Sequence, residues 1–169
     1  MGIKASYHSE GVGFPEMIKR LETVDGTAVE VGVLKGEHKW LASIHEYGCD
    51  IPVTPKMRVY LHSQGLHLKD STTRIRIPER SFLRSGFDAN KDDVNKKAAK
   101  IMADVASGKT TVRGLHQAVG LELSGAIKEY AVSLNSPGNH PFTVENKGSS
   151  NPLVDTGDMI GSITWRKAK

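Results

Sequence analysis

The chain has 169 residues, 38% of them hydrophobic and 25% charged, which suits one globular domain with its own core and argues against a wholly disordered chain. One cysteine, Cys49, excludes an intramolecular disulfide, and no apolar run is long enough to span a bilayer. The net charge of +4 is local: seven basic side chains between Lys56 and Arg84 face two acidic ones, Asp70 and Glu79, a net of +5, and the rest of the chain sums to −1. The first residues, MGIKASYHSEGVGF, contain no apolar stretch of the kind a secretory signal needs. Gly2 and Ser6 match a short myristoylation pattern that has meaning only in a eukaryotic cell.

From Phe14 to Val24 the spacing of Met17, Ile18 and Leu21 predicts a short amphipathic helix, and Pro15 suits its first turn. Asp25-Gly26 is a turn. Ala28 to Leu34 is rich in valine and reads as a strand. His38 to Tyr47 reads as a helix with Trp40, Leu41, Ile44 and Tyr47 as its apolar set, stopped by Gly48. Residues 51–77 read as an excursion. Met57, Val59 and Leu61 alternate with polar residues, as do Ile75 and Ile77, which predicts a β-hairpin with a long tip. Its polar face would carry Arg58, Arg74 and Arg76, with Lys69 near the tip.

Two long helices are expected next. Val94, Ala98, Ile101 and Val105 form a stripe within about Asp88–Ser107, and a second stripe runs from Leu115 to Leu134. Gly108 as terminator and Thr110 or Thr111 as N-cap make the joint short, which implies an antiparallel helical hairpin. Residues 135–152 are rich in Asn, Ser, Pro and Gly and read as loop. Asp155 to Ile160 suits a turn or two of helix, and Ile163–Trp165 a last strand. The sum is α+β: a small, mostly antiparallel sheet packed on a long helical hairpin, with an inserted β-hairpin.

Three chemical motifs match formally and fail on context. Ala103 to Thr110 fits a loose phosphate-loop pattern, but Lys96, Lys97 and Lys100 precede it at helical spacing where a buried strand is required. Asp155-Thr156-Gly157 resembles an aspartic-protease signature, yet only 12 residues follow it, too few for a flap and its supporting strands. His45, Cys49, His62 and His67 could be imagined around a metal, without familiar ligand spacing. No catalytic residue, cofactor or metal is therefore expected. The basic hairpin residues Arg58, Lys69, Arg74 and Arg76 read either as a phosphate-contacting surface or as a charged face that is solvated or paired with a neighbouring subunit. Few aromatics accompany them, which disfavours base stacking.

Separated blocks also carry a family pattern: Val31-Gly-Val-Leu34; Ala42-Ser-Ile-His-Glu-Tyr-Gly48; Ile77-Pro-Glu-Arg-Ser-Phe-Leu-Arg84; Pro141-Phe-Thr143; Lys147-Gly148-Ser149; and Asn151-Pro-Leu-Val-Asp-Thr-Gly157, closing on Ser162-Ile163. Their order resembles the neck and tail-completion (virion morphogenesis) proteins of Mu-like and lambdoid tailed phages. The resemblance implies a non-enzymatic subunit of the virion, assembled in the host cytoplasm as a homo-oligomeric ring, a hexamer, at the head–tail junction. Its partners would be head-connector or portal-side proteins and tail-tube or tail-terminator proteins, with genomic DNA in the lumen and no membrane. A tail-tube terminator or minor tail protein is the near alternative; a non-specific DNA-binding module is the alternative of another class. The chain would be one domain over residues 1–169, with the excursion at 51–77 and a docking segment at about 141–169. Phe82 would anchor the long helix, Asp155 would cap a short one, and Leu153, Ile160 and Trp165 would dock on the sheet or on a neighbour.

Overall fold

The computed structural model describes residues 13–168; the Gly2 and Ser6 pattern lies outside them. Chain order is α1 (Phe14–Glu22), β1 (Val29–Val33), α2 (His38–Tyr47), β2 (Cys49–Pro52), α3 (Pro55–Ser63), β3 (Arg74–Ile77), α4 (Phe82–Ala106), α5 (Val112–Ser133), α6 (Pro141–Lys147), α7 (Asp158–Gly161) and β4 (Ile163–Lys167). The fold is α+β. Two antiparallel two-stranded sheets, β1–β4 and β2–β3, accompany the long α4/α5 pair, and β1–β4 lies against α5. Among the described residues no helix is long and apolar enough to cross a membrane.

The helical hairpin forms as its apolar stripes dictate. Val94 and Val105 of α4 and Leu115, Leu123 and Ile127 of α5 are buried. The joint closes with Gly108 at φ +78°, its N–H donating to Val105 O, and Thr111 caps α5 by accepting from Gly114 N at 3.2 Å. The core then gathers Val33 from β1, Ala42 from α2, Phe82 from α4, and Leu153, Met159, Ile160 and Ile163 from the C-terminal region. Register places Val33 opposite Ile163 and Val31 opposite Trp165, so β4 is the chain's return to its own first strand.

Four expectations are corrected. The stretch Met57–Leu61 is helix α3, not a strand. Thr54 accepts from Met57 N at 3.2 Å and Pro55 occupies the first turn, so a capped helix start overrides a five-residue alternation. The true partner of Arg74–Ile77 is the earlier segment Cys49–Pro52, so the excursion is an arm over residues 49–77 in which a β-ribbon carries a helix at its tip. Residues 135–152 are not all loop: His140 and Pro141 open α6, and Gly148, left-handed at φ +67°, ends it. Asp155 is not a cap. Gly157 holds the N-cap position of α7 at φ +88°, and Asp158 interacts with the Thr156 hydroxyl instead.

Helix α4 also begins at Phe82, six residues before its expected start near Asp88. Ser81 makes no side-chain cap bond there. The cap comes from a distant carboxylate, Glu46.

Candidate functional site

Two places concentrate polar chemistry: the arm and the junction where α2 meets α4. In the arm, the alternation of β3 puts Ile75 and Ile77 with Ile51 and Cys49 on one half-buried face. Arg74 and Arg76 stand exposed on the other, with Asp50 directly across from Arg76. Lys56 on α3 and Lys69 in the tip loop are exposed as well.

Arg58 is placed differently from its expected companions. Its guanidinium donates to Leu68 O (3.1 Å), Lys69 O (2.9 Å) and Thr72 O (2.8 Å), which folds the tip loop back onto α3. Arg58 is thus a clamp inside the arm, while Lys69, Arg74 and Arg76 face solvent.

At the junction, Glu46 is 2% exposed, yet every contact of its carboxylate is favourable. It accepts from Leu83 N (2.8 Å) and Arg84 N (3.1 Å), two of the first-turn amides that α4 cannot satisfy itself. Arg84 Nε donates to the same carboxylate at 2.9 Å, while Arg84 Nη2 reaches Glu46 O and, at 2.7 Å, Glu79. The Arg84 pKa is raised above its ordinary value, first by the hydrogen bond to Glu46. Its guanidinium also lies 4.7 Å over the Tyr47 ring. Gly48 makes the approach possible: a Cβ there would stand 2.8 Å from Glu79 N and Ile77 O, and its φ of +70° suits glycine.

Arg80 is 4% exposed and has no carboxylate within 4 Å among the described residues. Oxygens satisfy it instead: Nε donates to Pro137 O (2.7 Å), and Nη2 to Gly138 O (2.9 Å) and Asn139 Oδ1 (3.1 Å). Its Nη1 stands 3.3 Å from His45 Nδ1. Burial, then the charges of Arg80 and Lys147, lower the His45 pKa to about 4. At neutral pH the imidazole is therefore neutral, and Nδ1 accepts from Arg80. Asn151 ties the last block in. Its Oδ1 accepts from Leu153 N and Val154 N, both at 3.0 Å, and its Nδ2 donates to Val132 O at the end of α5.

Of the residues expected to dock, Phe82, Leu153 and Ile160 are buried in the chain's own core, and Trp165 is half-buried against Gly120 of α5. Asp155 is exposed beside a cleft of about 220 Å³ that includes His38, His45 and Lys147. The amides of Gly108, Lys109 and Thr110 turn back onto Val105 O and Asp104 O, so they do not form a phosphate cradle. Of the four imagined metal ligands, the structure brings together His62 and His67, whose Nδ1 atoms are 2.7 Å apart, while His45 is engaged by Arg80.

Glu46 and Arg80 are the buried charged residues that periodicity could not single out. The available signal was a charged pair within short blocks, without any indication that blocks more than thirty residues apart meet. Comparison with family models, curated proteins and solved structures gave no match.

Proposed function

We propose that this chain is a structural subunit of the virion of a tailed phage, one copy in a homo-oligomeric ring, a hexamer, at the head–tail junction. One observation carries the reading. The blocks on which the resemblance rests are far apart in the chain, yet they meet: Glu46 of the second block caps the helix begun by the third, Arg80 of the third holds the loop leading to Pro141, and Asn151 fastens the last block to α5. These contacts support reading the blocks as parts of one structural unit. A ring needs each subunit to offer two different faces, and an arm that stands apart from the core supplies one of them.

The neighbours in this reading are head-connector or portal-side proteins above and tail-tube or terminator proteins below. Gold labelling of a tagged chain in assembled particles tests it. Label at the head–tail joint is the expected result. Label along the tail or at its tip would move the chain to the minor-tail reading, and unlabelled particles would end the proposal.

A second reading, a non-specific DNA-binding module, is favoured by exposed Arg74 and Arg76. The free protein would then bind duplex DNA with an affinity that falls steeply with salt. Arg74→Glu with Arg76→Glu should abolish that binding; an unchanged affinity rejects the module.

A further inference from the structure

A cleft of about 950 Å³ opens between α1, the α4–α5 turn, the first turns of α5, and β4. It shares no lining residue with the arm or the α2–α4 junction. Val105, Val112 and Trp165 give it apolar walls, while Arg20, Arg113, Arg166 and Lys167 surround them, and no carboxylate lines it. Two of the four cations have partners just outside: Arg166 pairs with Glu30 at 2.6 Å, and Arg20 Nε lies 3.6 Å from Glu16. Arg113 and Lys167 have no ion-pair partner among the described residues. The Nη1 of Arg20 is buried against Gly108 and has no hydrogen-bond acceptor among the described residues.

The same place holds an unused strand edge. Among the described residues β4 pairs only with β1. Ala168 N donates to Ala28 O, so residues 164, 166 and 168 direct their backbone groups at β1. By alternation, the N–H and C=O of Trp165 and Lys167 point away from it. Trp165 and Lys167 line the cleft, and no residue of β1 does.

We propose that this cleft docks an extended segment of a partner protein, carrying both acidic and apolar residues, as a third strand on β4. The backbone of Trp165 and Lys167 would take the segment's amides and carbonyls. Side chains on the face that Trp165 and Lys167 share would enter the recess, apolar ones against Val105, Val112 and Trp165 and carboxylates against Arg113 and Lys167 at its rim. Duplex nucleic acid fits less well, because the cations sit around a concave, largely apolar recess and not on an open ridge. A second copy of the chain also fits poorly: its most exposed extended segment, the arm ribbon, carries Arg74 and Arg76, the same sign as the cleft.

Selection of a displayed random dodecapeptide library on the full chain tests this. The expected peptides combine Asp or Glu with Val, Ile, Leu or aromatic residues. Arg113→Glu with Lys167→Glu should weaken them about tenfold or more. Lys167→Pro should weaken them similarly with unchanged circular dichroism, since the amide it removes points away from β1. Should either variant misfold, Arg113→Ala with Lys167→Ala provides the milder pair, with a smaller loss in the same direction.

Four outcomes would overturn the proposal. The first is recovery of no peptides, or of peptides without acidic residues. The second is affinity indifferent to these substitutions. The third is displacement of the selected peptides by a 20-base-pair duplex, which marks a general polyanion surface. The fourth is self-association that Arg113→Glu with Lys167→Glu abolishes, which assigns the cleft to a second copy.

Discussion

At the scale of single residues, the fold depends on two charged groups whose burial is tolerated because oxygens and amides surround them. Glu46 gives up water for the first-turn amides of α4 and for Arg84. Glu46→Gln would turn donors toward donors and should cost about 2–4 kcal/mol in urea unfolding. A loss under about 0.5 kcal/mol would show that the cap is dispensable. His45 makes a separate prediction. Its folded pKa of about 4 lies below the ordinary value of 6.5. Above 6.5 both states are neutral there and its contribution is fully present. As pH falls from 6.5 to 4 the unfolded chain binds a proton that the folded chain refuses, and stability is lost, by about 1–2 kcal/mol once solvent screening is counted. His45→Gln keeps an acceptor for Arg80 and does not titrate, so its stability should fall less over that interval. Parallel pH profiles for the two proteins would contradict the assignment.

At the scale of elements, the arm is joined to the core by its two strands, and α3 presents Val59 and Tyr60 to solvent at 71% and 61% exposure. Its stability is local: the Arg58 clamp, the Thr54 cap and the β2–β3 ladder. The core should therefore survive its removal. Val53 N donates to Thr73 O, so that pair is hydrogen-bonded and can accept a two-residue turn. Replacing residues 54–72 by Asn-Gly should leave a cooperative transition with Tm within a few degrees of the parent. Loss of cooperativity would mean that the arm completes the core. The arm also shows why a short alternating pattern misleads. Met57 and Leu61 are one helical turn apart as well as two strand steps apart, and the Thr54-Pro55 start decides between them.

At the scale of the whole molecule, the C-terminal region closes the fold. Met159, Ile160 and Ile163 are buried with Val33 and Phe82, and β4 completes the sheet that β1 begins. A chain ended after Gly157 would lose three buried side chains, each worth about 2–3 kcal/mol, against a total stability on the order of 5–15 kcal/mol. It should fail to unfold cooperatively in calorimetry; a native-like transition would make the segment the detachable docking element that the resemblance implies. That segment illustrates how far the sequence can be read. Periods of 3.6 and 2 residues mark β1, the α4/α5 pair and β4, because each turns an apolar side inward and side-chain spacing records that. The apolar sets read for α1 and α2 mark helices but not buried faces: Ile18, Leu21, Trp40, Leu41 and Tyr47 are exposed, and α2 buries Ala42 and Glu46 instead. Gly108 and Thr111 specify the joint, because cap chemistry is local. Partnership between distant segments leaves no such local trace. That Glu46 starts α4, that Cys49–Pro52 pairs with Arg74–Ile77, that Arg80 holds residues 137–139, and that Ile160 and Leu153 fill their own core were decided by packing in three dimensions. A carboxylate or an isoleucine carries the same spacing whether its partner is water, a neighbouring subunit or the far end of its own chain.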